Sequence, residues 1–182
     1  MPSRCSPRNA PGNGLFSLLL SLMLLAGGCS GGGTANPPPA AAAANPAAAA
    51  VTSARAEQAH CLALSMYWEA KAEGRAGMRA VGHVILNRMA SPRFPDTPCA
   101  VVYEGGETPP CQFSWYCDGR SDKPTEATNW ATAQGLAQEL LEGKLRDTTG
   151  NAVFFHATRL KTPWKVPRTK TVTIGKHVFY KL

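Results

Sequence analysis

Between Ser30 and about Ala54 the chain consists of Gly, Ala, Pro, Asn, Ser and Thr, with no charged residue and one branched apolar residue, Val51. Such a stretch has nothing to bury that would offset the entropy of ordering it, so it is expected to be a linker. Pro37 to Pro39 and Pro46 bound Ala40 to Ala44 too closely for an isolated helix to nucleate. About 25 residues of this kind reach roughly 25–30 Å as a coil and about 80 Å when extended. The chain has 182 residues. What remains after the linker, about 128, is the size of one small domain.

The segment before the linker fits an export signal. Arg4 and Arg8 precede an almost unbroken Leu/Phe/Met run, Leu15 to Leu25, and then Ala26, Gly27, Gly28 and Cys29. An apolar run of about a dozen residues is shorter than the roughly 20 needed to span a bilayer, so residues 1–28 are expected to be removed as a signal peptide. The surroundings of Cys29 resemble a bacterial lipobox, which implies cleavage before Cys29 and acylation of its thiol. The position three before the cysteine is Ala26, with the aliphatic residue one step further back at Leu25. Plain secretion with cleavage near Ala26 is the alternative. By the same resemblance, Ser30 after the cysteine favours the outer membrane of a Gram-negative cell, making residues 29–55 a tether. Cleavage changes the net charge from +7 to +5. A moderately basic domain in that compartment suits an anionic wall polymer or lipid headgroups rather than nucleic acid.

In residues 56–182 the apolar pattern is first helical and then strand-like. Cys61, Leu64, Trp68 and Ala72 form a stripe that predicts a helix over about 56–72. Met78, Val81, Ile85 and Met89 predict a second, ended by Ser91-Pro92. A third is expected over 126–142, with Thr125 as N-cap, Trp130, Ala133, Ala137, Leu140 and Leu141 inward and Gly143 as the stop. Ala152 to His156 and Val172 to Tyr180, the latter broken at Gly175-Lys176, predict a short β-hairpin or small sheet. The fold class is therefore α+β, mainly helical, with its strands near the C-terminus. Some 35 residues between the second and third helices lack a period, and loops that long in compact domains are usually functional or clamped.

Cysteine is the expected clamp. With Cys5 discarded and Cys29 lipidated, Cys61, Cys99, Cys111 and Cys117 remain, an even number in an oxidising compartment. Of the three pairings open to them, Cys111–Cys117 with Cys61–Cys99 is favoured, the first closing a small loop around residues 112–116. The spacings among the last three match no common zinc ribbon, so no metal or cofactor is expected.

The most suggestive chemistry lies in Tyr67-Trp68-Glu69-Ala70-Lys71-Ala72-Glu73-Gly74. On a continuous helix Glu69 and Glu73 would place their Cβ atoms about 6 Å apart on one face. Their repulsion, the negative end of the helix dipole and apolar Trp68 would all disfavour ionisation, raising one carboxyl pKa. A carboxylic acid still protonated near neutrality can protonate a leaving glycosidic oxygen. The bland alternative is a solvated helix end with Lys71 offsetting charge. Elsewhere, Trp115, Tyr116 and Trp164 are candidates for stacking on sugar rings, and Trp68 and Trp130 for core packing. His156 and His177 are either substrate hydrogen-bonders or half-buried strand histidines. Asn87-Arg88 reads as structural hydrogen bonding or a buried ion pair.

Several stretches together resemble the SleB-type cell wall hydrolases: Glu69 to Gly77, Ala80 to Arg88, Phe94-Pro95, Cys111 to Trp115, and His177 to Tyr180. The resemblance covers about Cys61 to Leu182, in order. It implies a small lysozyme-like domain of the lysozyme and lytic transglycosylase superfamily acting on peptidoglycan glycan strands; a monomer is expected. Glu69 then matches the catalytic acid, Glu73 the second acidic position, and Gln112, Phe113 and Ser114 a segment lining the substrate groove. Ala72 stands where the family pattern Glu-Ala-x-Gly-Glu has glycine, which is expected to leave the helix end less free to bend. If the sugar's own 6-hydroxyl attacks, the reaction is lytic transglycosylation. If water attacks, Glu73 or Asp118 would be the base of a hydrolytic muramidase or glucosaminidase. Two further alternatives are an amidase using a Cys61 thiolate and a lipoprotein that binds peptidoglycan without cutting it.

Overall fold

The computed structural model describes residues 46–161, 164 and 166–182. The expected signal peptide, Cys29 and the linker up to residue 45 lie outside the described residues.

The first helix, α1 (Pro46–Ala70), starts ten residues before the linker was expected to end. Pro46 sits in the first turn, where its missing N–H costs nothing. Ala47 to Ala50 are the strongest helix formers, and extending a packed helix avoids a new nucleation step. The first half of α1 is exposed, whereas every residue from Cys61 to Tyr67 is buried. The single expected stripe is thus too narrow: three further helices, α2 (Gly74–Met89), α3 (Pro98–Val102) and α4 (Ala127–Leu141), pack against α1, and a helix surrounded in this way is apolar all round.

α1 stops at Ala70, where φ is −141° and ψ 17°, and one 3-10 turn, Lys71–Glu73, leads into α2. The bend therefore falls before Ala72, and Gly74, at φ +63°, makes the left-handed step that the turn requires. Glycine at position 72 is not needed for it.

α2 has two buried faces. Met78, Val81 and Ile85 join the helical core around α1, and Ala80 and Val84 join Ala152 and Phe179 in a second cluster beneath the sheet. The unperiodic stretch holds α3, with Thr97 accepting from Ala100 N–H at 3.3 Å as its N-cap, and a 3-10 turn at Ser114–Cys117. Disulfides join Cys61 to Cys99, tying α1 to α3, and Cys111 to Cys117, closing the loop that carries residues 112–116.

Glu126, not Thr125, is the N-cap of α4, and it makes no side-chain capping bond. The buried Tyr67 hydroxyl accepts instead from the backbone N–H groups of Thr125 and Glu126, each at 3.1 Å. A side chain from the central helix does the work a local cap would do.

The strands β1 (Phe154–Ala157), β2 (Thr169–Ile174) and β3 (His177–Lys181) form an antiparallel sheet of order β1-β3-β2. β2 and β3 are joined by the two-residue turn Gly175-Lys176. Phe179, Phe155, Val172 and Ile174 face α2. Phe154, His156 and Tyr180 alternate to the other face, as period-2 geometry requires. The expectation of a mainly helical domain with a small sheet near the C-terminus describes this architecture.

Candidate active site

Glu69 lies in the last turn of α1, partly buried. Burial pushes its carboxyl up to about 7, against the opposing pull of the Arg88 charge. Of the causes expected to raise it, the apolar surroundings act, whereas repulsion by Glu73 does not. The 3-10 turn after Ala70 takes Glu73 off the α1 face. Glu73 stands at the N-cap position of α2 without a side-chain capping bond, and its carboxylate accepts the Lys176 N–H at 2.8 Å, latching the β2–β3 turn to the helices. Gly175 beside it has φ +55°, and a Cβ there would collide with that carboxylate. The two acids thus serve different parts of the fold.

Arg88, in the last turn of α2, is only 2% exposed. Its Nε donates to the Val153 carbonyl at 2.8 Å. Its terminal nitrogens donate to the Gln112 side-chain oxygen at 3.0 and 3.2 Å, in the amide orientation that satisfies both groups. Phe94, Phe113 and Phe154 surround the guanidinium at 5.3 to 5.8 Å from their ring centroids. Burial pulls the Arg88 pKa down to about 10, while the charges of Glu104 and Glu69 stabilise the cation and Arg168 opposes it. Asn87, next to it, knits α2 to the loop before β1 by donating to Asp147, Thr149 and the Ala152 carbonyl.

Through Arg88 the structure brings Gln112 into the electrostatic neighbourhood of Glu69. The other residues of that segment divide. Phe113 was expected to line a groove but is buried under the Arg88 guanidinium, because the loop needs an apolar anchor on the core. Trp115 is buried too, at 7% exposure, and its indole nitrogen has no partner; it packs into the helical core rather than standing free for a sugar. Ser114 is exposed. Tyr116 is half-buried, with its ring 4.4 Å from that of Tyr103 and its hydroxyl donating to Glu107 at 3.4 Å.

Trp68 packs against the helical core, as expected, without being sunk in it. It is half-buried, donates to the Asp122 carbonyl at 3.1 Å, and lines a shallow cavity with Trp115, Asp118, Arg120, Ser121 and Asp122. Trp130 packs edge-on to Tyr67 and His60.

His156 and His177 sit on opposite faces of the sheet. The His156 ring nitrogens lie 2.9 Å from the Ala157 carbonyl and 3.0 Å from the Tyr180 hydroxyl. His177 is buried edge-on to Phe155 and Phe179, where burial lowers its pKa and Glu73 partly restores it. Cys61 is in a disulfide, so it offers no thiolate, and an amidase built on it is excluded.

Comparison with known proteins matches this architecture. The profile of the cell wall hydrolase family fits residues 72–180. The chain belongs to that family. It is 34% identical over 119 residues to the spore cortex-lytic enzyme of Halalkalibacterium halodurans, covering 65% of this chain and 33% of the relative. It is 32% identical over 120 residues to that of Bacillus subtilis, covering 65% and 35%. The chain therefore spans about a third of the length of these curated relatives. Among solved structures, the catalytic domain of the germination-specific lytic transglycosylase SleB from Bacillus anthracis superimposes with a TM-score of 0.55 at 32% identity, covering 68% of this chain and 93% of that one. The catalytic domain of Bacillus cereus SleB gives a TM-score of 0.54, also at 32% identity, covering 68% and 89%.

Arg88, expected to make structural hydrogen bonds or a buried ion pair, does make such hydrogen bonds; that its charge also acts on Glu69 was not legible in the sequence. One residue of this cell wall hydrolase fold escaped sequence reasoning altogether. Arg168 carried no signal at all, because its partners are rings brought to it by the sheet: it lies 3.5 Å from the Phe154 centroid and 5.1 Å from that of Trp164.

Proposed function

We propose that the chain is an extracytoplasmic enzyme that cuts the glycan strand of peptidoglycan between N-acetylmuramic acid and N-acetylglucosamine, as a lytic transglycosylase with Glu69 as general acid. The observation that carries this is the Glu69 carboxyl, held in a water-poor setting that keeps its pKa near 7. Membership of the cell wall hydrolase family and likeness to a lytic transglycosylase domain support the same reaction class.

In this mechanism the Glu69 proton passes to the glycosidic oxygen as its bond to the anomeric carbon breaks and positive charge develops on the muramic acid ring. The sugar's own 6-hydroxyl attacks the anomeric carbon, and its proton returns to the Glu69 carboxylate, leaving a 1,6-anhydro end. No second carboxylate is required. That agrees with the engagement of Glu73 by the Lys176 N–H. Gln112, fixed by the Arg88 guanidinium whose charge acts on the acid, would be a polar side chain offered to substrate.

Mass spectrometry of fragments released from purified sacculi tests the mechanism. Anhydro ends are expected; reducing ends would make the enzyme a hydrolase, with exposed Asp118 as the first candidate base, and binding without release would leave only a wall-binding protein. Lipidation of Cys29 and an outer-membrane address belong to the same proposal and rest on the sequence around Cys29. Labelled palmitate should enter the wild-type chain and not Cys29→Ala, and membrane fractionation reads the address.

A further inference from the structure

The net charge of the chain is confined to its last 35 residues. Residues 1–147 contain twelve Lys/Arg and twelve Asp/Glu, whereas residues 148–182 contain seven Lys/Arg and no acid. This segment is the sheet and its connections. No acid in it can neutralise its cations, and the three ion pairs among the described residues all lie elsewhere, at Lys71–Glu126, Arg75–Glu139 and Lys144–Glu142.

Arg168 is the best-placed of these cations. Its guanidinium is stacked on Phe154 at 3.5 Å and lies 5.1 Å from the Trp164 centroid, and its Nε is buried without a hydrogen-bond partner. Trp164 in turn packs on Tyr180 at 5.1 Å, and Tyr180 pairs across the sheet with exposed Lys170. A half-buried arginine with no acidic partner among the described residues, beside aromatic rings, has the two elements that recognise an acidic saccharide: terminal guanidinium nitrogens for a carboxylate and rings for a sugar. The patch is continuous with the candidate active site, because Phe154 also packs on Arg88, whose charge acts on Glu69.

We infer that the outer face of the sheet is a substrate-binding surface in which Arg168 pairs with a carboxylate of the peptidoglycan, from its muramyl peptides, while the neighbouring aromatic rings support the sugar. This deepens the proposed function and rests on it. Arg168 would then select acidic, peptide-bearing glycan over neutral polysaccharide, and Lys170 would add a weaker, salt-screened attraction.

The test is co-sedimentation of the full chain carrying Glu69→Gln, with and without Arg168→Gln, on intact sacculi and on sacculi whose carboxylates have been converted to neutral amides with carbodiimide and ammonia. Arg168→Gln should weaken binding to intact sacculi about tenfold, the loss of one charge-assisted hydrogen bond, and make no difference on amidated sacculi. Lys170→Gln, an exposed site, should weaken it about twofold and flatten the salt dependence. Equal binding of the Arg168→Gln and parent chains to intact sacculi overturns the inference, and so does a loss that persists on amidated sacculi. A loss confined to phosphatidylglycerol vesicles would assign the surface to lipid and also overturn it. Arg168→Lys, which keeps the charge and the stem packed on Phe154, guards against misfolding and should bind between the two. Full muropeptide release by Glu69→Gln would instead refute the proposed catalysis and leave these binding results standing.

Discussion

Glu69 and Glu73 are four residues apart, and the fold treats them in opposite ways. Glu69 ends a helix inside the protein, where burial favours its neutral form. Glu73 starts the next helix at the surface, where its carboxylate accepts a backbone N–H from a turn 103 residues away. The first is suited to giving up a proton, the second to holding the sheet on the helices. A single 3-10 turn between Ala70 and Gly74 separates the roles. A pair of acids at helical spacing is thus a proposal about shared geometry, and it fails wherever the helix stops between them.

Breaking the catalytic half of this contrast should have the largest effect. Glu69→Gln should lower muropeptide release from sacculi by about a thousandfold, the middle of the range for general acid catalysis; wild-type release would end the assignment. The wild-type rate should fall as pH rises through 7, because the acid must be protonated to act. Stability moves in the same direction. The folded chain holds a proton on Glu69 between the unfolded value of 4.5 and about 7, so stability declines as pH rises through that window and stays lower above it. A shift of that size corresponds to about 3 kcal/mol as an upper figure. In thermal or urea unfolding, Glu69→Gln should therefore be more stable than wild type at pH 8, with the difference vanishing near pH 4.

Arg88 sharpens the contrast from the other side. Arg88→Met removes the charge that opposes the Glu69 shift, so the alkaline limb of the pH–rate profile should move upward. It also leaves the Val153 and Gln112 oxygens without their donor, at about 2 kcal/mol. An unmoved limb would show that the two groups do not communicate.

Breaking the structural half should cost stability and little activity. Glu73→Ala should lose about 1–2 kcal/mol in urea unfolding, with release from sacculi within about threefold of wild type. A hundredfold loss of activity would return Glu73 to the role of base. Gly175→Ala, strained by its positive φ and by contact with the same carboxylate, should cost about 1–2 kcal/mol. Because both changes act on one latch, the double variant should lose less than the sum of the two.

Periodicity made the helices and the C-terminal sheet legible, since Met78, Val81 and Ile85, or Val172 to Tyr180, carry their pattern locally. It was less informative where burial comes from several sides at once. α1 from Cys61 to Tyr67 is buried all round, and no single-face pattern marks a helix enclosed by three others. Within 112–116 only backbone placement distinguishes Gln112, held by the Arg88 guanidinium, from Phe113, sunk beneath it. The cap of α4 was misread because a distant tyrosine supplies it.

By itself the sequence determined the mainly helical order followed by strands and singled out Glu69 as the candidate acid, because each depends on residues close in the chain; the boundary expected near residue 55 did not hold, since α1 begins at Pro46. Only the tertiary structure decided why the pKa of that acid is raised, what Glu73 does, that the Arg88 charge acts on Glu69, and that Arg88 holds Gln112. Those are matters of burial and of partners far apart in sequence, and they exist only once the helices and the sheet have closed on one another.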